Sequence, residues 1–416
     1  MEPRLFDLDF QLLADSALMI IAVFALFLVA SYFLFNPVRE MMKKRSDKIK
    51  DELDDAAKSQ EDAAALKEEY ENKLKDIDKE AEKILKEDLG VKSLRSFPRD
   101  IAIDYDDSKH ILTMTLLPKA VGLGKGDAVN MQDNAAAFEA WCFIIKAYTN
   151  IKNLKIMLDI DGVVNDRYVG GIPSNGHLGR FLYRILKFKE QYGTWFFLSD
   201  ELEAMRKNFA DFLSSGKFVN NEPSKEAEDD EDVLGTEGYV EKRFCDDDSL
   251  GKLILDFSDK NVVMNRQLPV GLFKDKKSDA TAVFTGKKSA IDFWVLDGNE
   301  FNIYELKAKN KMVGILTEIF FYSNYMRDVY WHNSLETKQN VKIRNPKKTD
   351  RSYNKLCDGI KNITKITGWI LADEFHPLIT DATDAVINIM NDNGIESELQ
   401  YNKKQYDLKI DINVHK

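Results

Sequence analysis

Cysteine, histidine and proline are scarce in this chain, and each scarcity removes a class of function. The three cysteines, Cys142, Cys245 and Cys357, lie far apart, which excludes a disulfide scaffold and a paired-cysteine metal ribbon. In a reducing cytoplasm they stay as thiols. The five histidines (110, 177, 332, 376 and 415) include no pair at metal-binding spacing, so no zinc site is expected. Only one long hydrophobic run is present, and from Val38 to Glu87 there is neither glycine nor proline. The net charge of −11 speaks against general nucleic-acid binding.

The hydrophobic run, Ala17 to Phe35, holds 19 residues without a charge. At 1.5 Å per residue it covers about 28 Å, close to a hydrocarbon core of about 30 Å. The residues before it are acidic (Glu2, Asp7, Asp9 and Asp15 against Arg4), unlike the basic start of a signal peptide. A membrane span is therefore expected. Arg39, Lys43, Lys44 and Arg45 follow it directly, and basic residues favour the cytoplasmic side. The N-terminus should face outward and the chain from Pro37 onward should be cytoplasmic, at the cell membrane.

The stretch that follows is rich in Ala, Lys, Glu, Asp and Leu, a composition that favours one long helix. Its sparse apolar residues repeat every eleven: Leu66/Ile77, Tyr70/Ala81, Leu74/Leu85, Val38/Ile49 and Met42/Leu53. That period predicts a straight or right-handed helical pair, about 75 Å long, and so thin a stripe needs a partner helix. Gly90 is the expected terminator.

These residues resemble the b subunit of F-type ATP synthases. The resemblance rests on Phe6-Asp7-Leu8-Asp9-Phe10-Gln11-Leu12, the span ending Phe33-Leu34-Phe35, Asn36-Pro37-Val38, and Met41-Met42-Lys43-Lys44-Arg45 followed by Ile49, Leu53 and Ala56-Ala57. It covers residues 1 to about 87. It implies a stator stalk beside the proton-translocating sector, paired with a second copy or a sister subunit and contacting other synthase subunits. The task is non-catalytic, and Arg45 belongs to the matched stalk.

Beyond residue 90 the patterns alternate between strand and helix. Residues 94–220 read as an α/β or α+β unit of unassigned role: a hairpin (101–105, 111–117), helices at 135–147, 178–192 and 201–213, and strands at 154–160 and 195–198. The basic face of Arg180, Arg184, Lys187 and Lys189 is expected to be solvated. Gly122-Leu-Gly-Lys-Gly-Asp127 lacks the spacing of a phosphate loop. Glu222 to Asp232 is acidic and free of aromatics; it reads as a linker (221–234) before a last domain at 235–416.

In that last domain, Ile291–Leu296 and Phe301–Leu306 are β-rich runs around Asp297-Gly-Asn-Glu300. Gly298-Asn299 suits a two-residue type II′ turn. Partners then sum to 597, which sets Asp292 opposite Glu305 with their Cβ atoms about 5 Å apart, and Lys307 shares that face. Facing carboxylates repel unless a cation lies between them, so Mg²⁺ is the expected occupant. The pattern resembles the PD-(D/E)XK nuclease superfamily. The resemblance implies Asp292, Glu305 and Lys307 as catalytic residues, with Asp292 and Glu305 on the metal. It adds a helix at 236–244 offering Glu237 or Glu241 as a further metal-side acid, a neighbouring Gln267, and a helix at 312–328. Eleven Lys or Arg fall between 307 and 355 against four acids, a lane expected for DNA. The tail should add a strand at 368–372, a helix at 383–390 and a strand at 406–412.

The primary reading is a single-pass b-type stalk component carrying a restriction-endonuclease-like α/β extension. Its alternatives are a membrane-tethered Mg²⁺-dependent nuclease, for instance in defence, that borrows the anchor, and a composite of two reading frames joined near residues 87–92.

Overall fold

The computed structural model describes residues 10–88, 90–91, 94, 97–98, 100–123, 129–158, 168–169, 172–173, 176–223, 236–246, 262–284, 289–336, 339–344, 351–380 and 383–407. The chain divides into two compact units, Met1–Lys73 and Leu74–Lys416.

The first unit is helical. A helix at Phe10–Ala30 leads through a wider π turn at Ser31–Phe35 into a helix at Asn36–Lys83, whose end lies in the second unit. The helix begins seven residues before the apolar run. The π turn falls where Pro37 offers no N–H to the preceding turn, so the i→i−4 ladder must loosen there. Among the described residues, one helix is long and apolar enough to cross a membrane. Val38, Met42, Ile49 and Leu53, one edge of the eleven-residue stripe, are exposed; the side chains of 65–81 lie outside the described residues.

In the second unit the long helix ends in a π turn at Ile84–Asp88, and Gly90 takes the left-handed conformation (φ +74°) that glycine adopts without strain. Ile84 and Leu85 are buried in the hydrophobic core of this unit, and Val91 N–H returns to Leu85 O at 2.8 Å. Strands β1 (Ile101–Asp106), β2 (Ile111–Leu116) and β3 (Asn153–Leu158) follow, then the short pair β4 (Tyr168–Val169) and β5 (Ile172–Pro173), then β6 (Phe196–Leu198). They form a sheet of order β1-β2-β3-β6, antiparallel at β1/β2 and otherwise parallel. Helices at Phe138–Tyr148, Gly176–Tyr192 and Asp200–Ser215 cover it. The last begins at Ser199, whose Oγ accepts Leu202 N–H, a standard N-cap.

The helix at Gly176–Tyr192 corrects one expectation: Arg180, Arg184 and Lys187 are buried, not solvated. Arg184 forks onto Glu139, and Lys187 meets Asp328 at 2.9 Å. Buried cations of this kind require such partners.

The chain continues through β7 (Phe218–Asn220), a helix at Glu237–Asp246, β8 (Val263–Pro269), β9 (Leu272–Lys274), β10 (Ala282–Phe284), β11 (Ala290–Asp297) and β12 (Glu300–Lys307). After a helix at Ile315–Tyr325 come β13 (Val341–Lys342), a helix at Arg351–Gly359, β14 (Lys365–Ala372), a helix at Ala385–Asn391 and β15 (Leu399–Gln405). One sheet runs β10-β9-β7-β13. The other, β15-β14-β12-β11-β8, is antiparallel through β8, β11 and β12 and parallel through β14 and β15.

A strand forms at 399–405, where Leu399 and Tyr401 are buried and Gln400 between them is exposed; of the strand expected at 406–412, residues 408–412 lie outside the described residues. Residues 408–416, the linker core 224–235 and the glycine-rich turn at 124–128 lie outside the described residues. One hydrophobic cluster runs from Ile84 to Tyr401, so the region 94–220 shares its core with the region after 262.

Candidate functional site

The β11/β12 hairpin has the register read from its turn. Phe293 pairs with Tyr304 and Trp294 with Ile303, and Gly298 takes a positive φ of 61°. The next step sets Asp292 beside Glu305. Here the ladder is modified: Asp292 Oδ2, not a backbone carbonyl, accepts Leu306 N–H at 2.9 Å. On the other edge Leu268 pairs with Ile291 and Arg266 with Phe293, which puts Gln267 beside Asp292. Gln267 has a left-handed φ of 54°, a conformation costly for a side-chain-bearing residue and concentrated at functional sites. Its amide donates to Glu241 Oε2 at 2.6 Å.

Lys307 is nearly enclosed (3% exposed) and donates to Glu305 Oε1 at 2.9 Å. Its ammonium also lies 3.1 Å from Glu318 Oε2. Tyr406 Oη donates to the Lys307 carbonyl at 3.0 Å and fixes the strand end. Burial alone would weaken the lysine's charge, but Glu305, Glu318 and Asp292 hold its pKa well above the ordinary value.

The carboxyl pKa values move up as well, here because burial disfavours their charged forms. Burial, with Asp292 next, pushes Glu305 well up. Burial and then Asp292 raise Glu241 to about 8. Burial raises Asp292 to about 6 against the opposing pull of Lys307 and the Leu306 amide. Burial also raises Glu237. Four acids, Glu305, Glu318, Asp292 and Glu237, thus act on one lysine, with Glu241 coupled to Asp292, and charge in so dry a setting is costly unless neutralised.

Glu318 and Tyr322 were missed in the sequence. They sit one turn apart on the helix at Ile315–Tyr325, a spacing that stacks side chains on one face. Tyr322 is buried, and its hydroxyl is pushed well up by burial first and then by Glu305, Glu318 and Asp292. A Glu-x-x-x-Tyr step after the strand that carries Lys307 was the available signal.

The donor chemistry suits a hard divalent ion: all the acids offer oxygen, and Glu305 Oε2 is buried with no hydrogen-bond donor among the described residues. The side chains as they stand do not form a ready cage. Among the described residues, no three His, Cys, Asp or Glu groups converge to ligate one ion, and Lys307 stands between Glu305 and Glu318.

Of the eleven basic residues of the expected lane, Lys307 and three more have acidic partners, and Lys338, Lys347 and Lys348 lie outside the described residues. Lys311 pairs with Glu374, Arg327 with Asp328 and Glu398, and Arg344 with Glu222. Such pairs cancel the surplus that a polyanion would feel. None of the three cysteines forms a disulfide among the described residues.

Comparison with known proteins divides the chain at the same place as its patterns do. Residues 17–88 match the family described as ATP synthase B/B′ CF(0). This part of the chain is b-subunit-like. A protein described as ATP synthase subunit b from Lachnoclostridium phytofermentans is 51% identical over 84 residues, which cover 20% of this chain and 45% of that protein. The chain therefore spans under half the length of that relative. Arg45 lies within the matched segment, as do Ile84 and Leu85 of the buried core. No solved structure matches the chain.

Proposed function

We propose that this chain is a membrane-anchored, b-type stalk protein whose cytoplasmic extension is a divalent-metal-dependent phosphodiester hydrolase. The anchor reading is supported by the family match over residues 17–88 and by the apolar helix that opens the chain. In that reading the N-terminus faces outward, and the exposed stripe of Val38, Met42, Ile49 and Leu53 receives a second stalk helix, from another copy or a sister subunit. Other synthase subunits are the further partners.

The hydrolase reading is carried by one observation: Asp292, Glu305 and Lys307 meet on adjacent strands, with Glu241 and Glu318 supplied by the helices on either side. The order helix, three antiparallel strands, helix, parallel strand fits a restriction-endonuclease-like core. Mg²⁺, held by Asp292, Glu305 and Glu241, would supply charge neutralisation at the phosphate and an activated water. The chain's own residues have separable roles. The Leu306 amide fixes Asp292, Gln267 orients Glu241, and Lys307 positions the water or takes up charge developing on the phosphate.

The test is Mg²⁺-dependent cleavage of linear and circular DNA by the purified full chain. Glu305→Ala and Lys307→Ala should each abolish it, and cleavage that survives both rejects the assignment. An antibody to the C-terminal residues tests the single-polypeptide reading. A band near 47.8 kDa in the membrane fraction supports it, whereas a smaller soluble band means two separate proteins. Co-purification with the rotary complex separates a working stalk from a borrowed anchor.

A further inference from the structure

The helix at Gly176–Tyr192 carries three buried cations, and two are neutralised by carboxylates. Arg184 forks onto Glu139, and Lys187 meets Asp328. Arg180 differs. It is 7% exposed, and its described hydrogen bonds are long and go to neutral groups: Nη1 to Ser289 Oγ at 3.4 Å, and Nη2 beside His177 Nδ1 at 3.3 Å. A buried guanidinium in such company retains most of its desolvation cost.

Its position is informative. Ser289 leads directly into β11, three residues before Asp292, or about 10 Å along an extended strand. Tyr322 feels Arg180 from one direction and Glu305, Glu318 and Asp292 as well. The arginine therefore borders the acid cluster although it comes from the other half of the second unit.

We propose that Arg180 is a phosphate-binding residue of this site, holding an oxyanion of a phosphodiester backbone of which another phosphate, a few nucleotides along, lies at Asp292, Glu305 and Lys307. The proposal rests on the hydrolase reading and adds to it an anchoring subsite. A planar guanidinium presents a fork that matches phosphate oxygens, and phosphates follow one another about every 3.4 Å along a stacked strand. The gap between Ser289 and Asp292 is thus bridged within a few nucleotides. Burial, followed by the like charge of Arg184, brings the Arg180 pKa down to about 10 against the weaker opposing pull of Tyr322, Glu318 and Glu139, as desolvation without a contacting carboxylate does. The region 101–220 gains a role: it completes the site by supplying the anchor.

The test uses the full chain in detergent and two readouts. Inorganic phosphate should raise the thermal midpoint of the wild type, and Arg180→Gln should remove that response. Arg180→Lys, which keeps the charge but loses the fork, should weaken the phosphate response about tenfold, the scale of a lost charge-assisted bond. In cleavage assays Arg180→Gln should raise KM about tenfold or more while kcat changes much less. If the wild type cleaves nothing, the hydrolase reading fails while the phosphate titration still decides on Arg180. An unchanged phosphate response in both variants overturns the proposal. So does an Arg180-dependent response to succinate equal to that for phosphate, which would make this a carboxylate subsite. Should Arg180→Gln fail to fold, Arg180→Lys carries the decision.

Discussion

Replacing Lys307 with methionine should hurt the fold far more than replacing Glu305 with glutamine, and the gap should widen with pH. Lys307 is enclosed with Glu305 and Glu318, which are 2% and 6% exposed. Among the described residues, its ammonium is the one cation that pairs with either of them. Removing one partner from a buried ion group costs roughly 3–5 kcal/mol, because the remaining charge stays desolvated. Glu305 already tends to hold its proton, and this relief places the loss near the lower bound, about 3 kcal/mol. For a unit of this size about 2 °C of midpoint accompanies each kcal/mol, so Lys307→Met should melt about 6 °C lower. Glu305→Gln resembles the protonated acid that it replaces and should cost about 1 kcal/mol or less. Asp292, pushed up to about 6 chiefly by burial, is largely protonated at pH 5.5 and needs the lysine less; at pH 8.5 it is ionised. Thermal melts of the full chain in detergent with a chelator, at both pH values, make the comparison. Equal losses for the two variants, unchanged between pH 5.5 and 8.5, would refute the electrostatic account of the cluster.

Four other outcomes are expected. Without metal, stability should fall as pH rises from about 4.5 to about 8. Glu241 titrates at about 8 in the folded chain against an ordinary 4.5, so the native state holds the extra proton across that window. Urea midpoints with Glu241→Gln should show a flatter slope. Mg²⁺ should recover part of the loss at pH 8 and none in Glu305→Gln, read by the same melts. Arg184→Met strands Glu139 in the core and should cost about 3 kcal/mol or more in urea unfolding. Gly314→Ala would drive a Cβ into the Gln132 backbone carbonyl; the backbone there cannot yield, so the amount of full chain recovered on expression should collapse.

Where period and turn chemistry agreed, the sequence was readable. The β11/β12 register follows from Gly298-Asn299 alone, because a two-residue turn leaves one pairing. The helices at 176–192 and 200–215 follow from apolar spacing and the Ser199 cap. What stayed hidden depends on partners distant in sequence. Arg180, Arg184 and Lys187 look like a solvated stripe until Glu139 and Asp328 come from other elements to meet two of them. Strand β15 escaped notice because its buried face is only Leu399 and Tyr401 among polar residues. Glu318 escaped notice because a lone glutamate in an apolar helix carries no signal until the strand beside it presents Lys307.

Buried charge is a poor way to stabilise a fold, so its distribution separates structural groups from functional ones. Along the helix at Gly176–Tyr192, Arg184 and Lys187 are matched to carboxylates; their presence is accounted for by packing. Arg180 lacks such a match among its described hydrogen bonds, and Glu305 keeps one oxygen without a donor. These two incompletely compensated groups have opposite sign, yet no contact joins them; Tyr322 feels both. Had the pair served only stability, direct contact would have satisfied each with the other. Their separation leaves a cation demand on the acid side and an anion demand on the arginine side. On the proposed hydrolase reading, a metal-bound phosphodiester would meet both at once, as a single small ion would not.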